Sequence, residues 1–104
     1  MKRRRPVLAA LVGLLLFLAH SVQAGMGLAL YHLRRYPEAE SSLRFALSLD
    51  PQMQAAYYNL GLVLVAENRS EEAKAAFRQV RRLDPNTPFG QAALERLKSL
   101  GEGG

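Results

Sequence analysis

The sequence contains no cysteine. That single absence excludes disulfides, a cysteine-based zinc site, a thiol nucleophile and a lipid-modified cysteine anchor, while leaving the compartment open. Motifs for catalysis are missing as well: there is no glycine-rich phosphate loop, no Gly-x-Ser-x-Gly elbow and no His-Glu-x-x-His. The two histidines, His20 and His32, lie twelve positions apart with no acidic neighbour close in sequence, and they read as ordinary surface residues rather than metal ligands. Glu38 and Glu40 point to different sides of a helix, and Glu71 with Glu72 forms a first-turn charge pair. The expectation is therefore a protein without catalytic residues, metal or cofactor.

Net charge is also scarcer than it looks. The formal +5 includes Lys2, Arg3, Arg4 and Arg5, and the rest of the chain sets ten basic residues against nine acidic ones. A nucleic-acid binder needs basic groups facing phosphates, and this body is close to neutral, so no nucleic acid is expected. At 104 residues the chain holds one small domain and leaves no room for a two-domain enzyme. Its 49% hydrophobic and 22% charged composition suits a folded chain.

What is present starts with the N-terminus. The basic residues 2–5 precede thirteen residues without a polar side chain, Val7 to Ala19, and then His20-Ser21-Val22-Gln23-Ala24-Gly25. A basic start, an apolar middle and small residues two apart form the layout of a secretory signal. Thirteen helical residues reach only about 20 Å, short of the ~30 Å hydrocarbon core, which favours cleavage after Ala24 and a mature chain beginning at Gly25. The rival is an uncleaved anchor, because no formally charged residue occurs from Pro6 to Leu33. Either reading leaves the basic start in the cytoplasm and the body outside it.

The body is one unit written twice. Gly27 and Gly61, Leu30 and Leu64, Ala39 and Ala73, Leu43 and Phe77, Ala46 and Val80, Asp50 and Asp84, and Pro51 and Pro85 are all 34 residues apart. Each copy reads helix, turn, helix. In the first, a helix ending near Arg34 precedes Pro37 at an N1 position and the apolar Ala39, Leu43, Ala46 and Leu47. In the second, Gln54 to Glu67 is followed by Ser70 as N-cap, with Glu71 and Glu72 in the first turn and Ala73, Ala76, Phe77 and Val80 at helical spacing. Asp50-Pro51 and Asp84-Pro85 close the two copies. A last helix opens on Thr87 as N-cap and Pro88 at N1, with Phe89, Ala93, Leu97 and Leu100 as its apolar stripe and Gly101 as its stop.

This pattern resembles the tetratricopeptide repeat, through Gly27, Ala39, Leu43, Ala46 and Pro51 in the first copy and Tyr57, Leu60, Gly61, Ala73, Phe77 and Pro85 in the second. Val80 and Gln23 depart from the family's usual alanine and aromatic. The resemblance implies an all-α fold, a short α-solenoid of two helix-turn-helix repeats with a capping helix. Its divisions are residues 1–24 (signal peptide or signal anchor), 20–53 and 54–87 (repeats), 88–100 (cap) and 101–104 (flexible tail). Gly27 and Gly61 are expected to admit the paired helix closely, and Leu43 and Phe77 to fill the space between units.

The family's concave groove, lined by the first helix of each repeat, would place Leu28, Tyr31, His32, Tyr58, Asn59, Leu62 and Val65 at a partner-binding surface. The implied function is non-catalytic protein binding, with a protein or peptide partner contributing an apolar or amphipathic segment. The alternative is a structural subunit that self-associates as a homo-oligomer or completes an envelope assembly. Membrane contact would come through the N-terminal segment if uncleaved. Lys74, Arg78, Arg81 and Arg82 make a basic stripe that reads as a solvated outer face with Glu71 beside Lys74.

Overall fold

The computed structural model describes residues 4–101, with side chains from Arg5 onward. The basic Lys2 and Arg3 and the tail 102–104 lie outside the described residues. Five helices follow one another: α1 Arg4–His32, α2 Tyr36–Leu49, α3 Gln54–Ala66, α4 Ser70–Leu83 and α5 Pro88–Ser99. They form an all-α, short α-solenoid: α1 packs on α2 and α3 on α4 as antiparallel hairpins, and α5 closes against α3 and α4.

The two hairpin turns repeat to the residue. Arg34 and Asn68 both adopt the left-handed conformation, with φ of 62° and 61°. Arg35 N–H donates to Leu30 O and Arg34 N–H to Tyr31 O, as Arg69 and Asn68 do to Leu64 O and Val65 O. This is the Schellman closure of a helix end, made here without glycine. It stops α1 at His32, two residues short of the expected Arg34.

Ser70 is not the N-cap of α4. Arg69 holds that position without a side-chain cap bond, and Ser70 is already helical. The guanidinium of Arg69 instead bonds the first-turn carboxylate of Glu72, as Arg35 bonds Glu38 at the start of α2. An ion pair thus stands where a hydroxyl cap was expected. Thr87 does cap α5, its hydroxyl accepting from Gly90 N–H at 3.0 Å.

Core packing explains the small residues. A Cβ at Gly61 would fall 2.6 Å from Cε1 and Cζ of the Phe77 ring, and one at Gly27 would fall 2.5 Å from Cγ of Leu43. Leu43 and Phe77 are fully buried and fill the notches at Gly27 and Gly61 within their own hairpins. Ala39, Ala46, Ala73 and Val80 complete this layer. In α5 the expected stripe shifts: Gly90, not Phe89, is buried, because the backbone there presses on Asp84 and Pro85, and Phe89 is left 38% exposed.

The hairpins give the body two edges. At the far edge, Arg69 bridges Glu40, Glu67 and Glu72, and Arg44 also reaches Glu40 at 2.8 Å. At the near edge, where the exposed stretch of α1 meets the body, His20 Nε2 lies 3.6 Å from Asp50 Oδ2. There Gln54 Nε2 donates to Val80 O and Asp84 O, and the Thr87 hydroxyl donates to Gln54 Oε1. Asp50 and Asp84 each accept a backbone N–H two residues on, pinning the loops 50–53 and 84–87.

The far edge carries a pH dependence. The Arg69 guanidinium holds the Glu40 and Glu72 carboxyls below their ordinary value of 4.5, with Arg44 adding to the effect at Glu40. A carboxyl depressed in the folded state contributes stability above its unfolded value, and that stability is lost as pH falls through the folded one. Melting temperature should therefore drop as pH is lowered from about 4.5, and Arg69→Gln should flatten that drop. Melts from pH 7 to pH 3 on both chains check it.

Candidate functional site

The 34-residue offset places equivalent residues on α1, α3 and α5. Ala24, Tyr58 and Ala92 correspond, as do Leu28, Leu62 and Arg96, and Tyr31, Val65 and Ser99. Within each helix these positions step by four and three, so they share one face. Since α1 touches α3 and α3 touches α5, the three helices form one layer, with α2 and α4 behind it.

Leu28, Tyr31, Tyr58, Leu62 and Val65 are half-buried on this face and His32 is exposed. Asn59, expected in the open groove, is instead buried at 9% exposure, because its place on α3 turns toward the neighbouring helices. Tyr31 contacts His32 edge-on at 5.2 Å and Tyr36 at 6.0 Å. Tyr58 packs edge-on to Phe77 at 5.5 Å and against Phe89 at 5.9 Å. Its hydroxyl accepts from Arg96 Nε at 3.2 Å. Tyr58 is thus tied into the α3–α4–α5 packing, while Leu28 and Leu62 form the most regular part of the strip.

Of the packing residues, Gly27, Ala39, Leu43, Ala46, Leu60, Gly61, Ala73 and Phe77 are buried and Tyr57 is half-buried. Pro51 and Pro85 are exposed in the near-edge loops, where they end a helix rather than fill space. Tyr57 and Leu60 also line a cleft of about 560 Å³ with Arg44, Leu64, Glu72 and Arg82. None of the seven groove residues lines it.

The basic stripe on α4 is engaged by local partners: Lys74 pairs with Glu71 at 3.2 Å, Arg81 donates to Gly90 O and Arg82 donates to Gln79.

Two residues escaped the sequence reading. Arg96 puts a cation at the α5 end of the apolar strip; adding the repeat length to Leu62 would have found it. His20 is a buried residue at 8% exposure, not a surface one, and its Nδ1 has no hydrogen-bond partner. Its acidic neighbour is thirty positions away in sequence, yet His20 and Asp50 correspond to Gln54 and Asp84 through the same offset.

A layer of first helices backed by their partner helices, closed by a last helix, defines a short helical-repeat domain. A family model for the tetratricopeptide repeat matches residues 25–88, and the chain belongs to that family. Its members are protein–protein interaction modules, and that class carries to this chain. No curated protein matches the chain.

Proposed function

We propose that the chain is a membrane-anchored, outward-facing adaptor of two tetratricopeptide repeats and a cap, which holds an apolar or amphipathic segment of a partner protein along Leu28, Tyr31, Leu62 and Val65. One observation carries this reading. α1 runs unbroken from an exposed apolar stretch into the helix that bears Leu28 and Tyr31. Within the 28 residues Arg5–His32 an eighteen-residue stretch reaches a mean hydropathy of 2.1, and by length and composition the helix is of the kind that crosses a bilayer. Cleavage after Ala24 would sever this helix at a buried residue and discard His20, so the anchored form is preferred over the cleaved one. Arg96 adds a preference for a partner segment with an acidic group at the α5 end.

A photo-crosslinking residue at position 28 or 62 of the full chain, in its native membrane, should form an adduct with a partner protein, and one at Ala75, on the cleft side, should not. Arg96→Glu should lower the yield about tenfold. Adducts from position 75 alone would move the binding surface to the cleft. The second reading, self-association, is supported by Phe45, 52% exposed on α2, and would show as adducts of twice the chain's mass.

A further inference from the structure

The length of α1 that stands free of the body is shorter than a bilayer. Residues Arg5 to Leu18 are all exposed, and His20 is the first buried residue of the helix. Fourteen helical residues span about 21 Å, whereas the hydrocarbon core is about 30 Å thick. No linker separates the free stretch from the body, because α1 is one continuous helix through both.

If Arg5 marks one boundary of the hydrocarbon, a full span would end near Gly25, about 8 Å beyond His20. It would carry the His20–Asp50 pair and the loops beside it below the lipid surface. Tilting the helix shortens its projection and enlarges the deficit. Snorkelling of Arg5 and local thinning of the bilayer reduce it, and both bring headgroups toward the body. The near edge cannot stand clear of the membrane.

We infer that the near edge of the body, formed by loops 50–53 and 84–87 and the start of α5, lies in the headgroup layer of the membrane that α1 crosses. This rests on the anchored reading above. The chemistry of the edge fits a lipid surface. Phe89, 38% exposed in the first turn of α5 while one side of its ring meets Tyr58, and Arg82, an exposed residue in the last turn of α4 that also donates to Gln79, both lie at this edge. A phenyl ring gains by burial at the headgroup–acyl boundary, and basic groups near it gain from anionic headgroups. Asp50 and Asp84 accept hydrogen bonds from their own loops, which lessens the cost of holding carboxylates there. The consequence for the binding layer is a fixed orientation: α1, α3 and α5 run away from the membrane, with His32 at the distal end of the groove.

The absence of cysteine allows single labels to be placed without background. The full chain is reconstituted into vesicles of phosphatidylcholine and phosphatidylglycerol containing a nitroxide on the lipid headgroup or, in separate samples, on the acyl chain. A fluorophore is carried by Gln52→Cys, Asn86→Cys, Ser70→Cys or Leu14→Cys, all exposed positions. Headgroup nitroxide should quench about half or more of the emission at 52 and 86 and leave 70, at the far edge about 20 Å away, unquenched. Acyl-chain nitroxide should quench position 14. Quenching at 14 with 52 and 86 no different from 70 would overturn the headgroup contact and leave the anchor standing. No quenching at 14 would overturn both.

Discussion

Phe77→Ala should lower the unfolding free energy by about 3 to 5 kcal/mol, the range for removing a fully enclosed aromatic side chain. The ring is 0% exposed, fills the notch at Gly61 and meets Tyr58 edge-on at 5.5 Å. Its loss leaves a cavity between the buried stretches of α3 and α4 that neither helix can close without giving up its neighbours. Whole-protein stability is only about 5 to 15 kcal/mol, so the variant should sit near the edge of folding. Chemical denaturation of the full chain in mild detergent measures it, with Ala75→Ser, exposed on the same helix, as a control that should change little.

Removing residues 1–24 should have an effect of similar size but confined to one hairpin. What remains of α1 is Gly25 to His32, two turns containing two glycines, each about 1 kcal/mol worse than alanine in a helix interior. Helices this short are marginal unless packing holds them. The deletion also takes away buried Ala24 and the partner of Asp50. Hydrogen exchange in α2 should accelerate about a hundredfold, equivalent to ~2.7 kcal/mol, while α4 and α5 keep most of their protection. Uniform acceleration through α5 would mean that the body unfolds as a single unit; unchanged exchange in α2 would mean that the first twenty-four residues contribute nothing to the first hairpin.

Most of the architecture was legible because the same chemistry recurs at a fixed interval. Gly27 and Gly61, Leu43 and Phe77, and Asp50 and Asp84 each carry the same structural task in both copies, so a one-dimensional offset encodes a three-dimensional stack. Legibility failed where a residue's partner lies on another element. His20 looked like a polar residue at the end of an apolar run, and its partner Asp50 lies just past the C-terminal end of α2, at the near edge. Ser70 looked like a cap, and local preference was overridden by Arg69 reaching both forward to Glu72 and across to Glu40. Arg96 lies off the apolar stripe of the capping helix, and its partner, the Tyr58 hydroxyl, is thirty-eight positions away on α3. Tyr58 is half-buried and its neighbour Asn59 is buried, so one step around a helix separates an open face from a closed one.

The same interval makes the conflict at the N-terminus visible. The features that resemble a cleavable signal, with Val22 and Ala24 two apart, fall inside the helix that the first hairpin uses. A peptidase acting on an unfolded translocating chain reads the former; the folded body needs the latter. The anchored reading resolves this by giving one helix two environments that overlap at the near edge, lipid from Arg5 and the packed body from His20 onward.

That proposal is tested most directly by the intact mass of the chain recovered from the envelope of cells that make it. The account predicts a membrane-bound species that retains residues 1–24 and resists extraction by salt. A soluble species whose mass begins at Gly25 would contradict it.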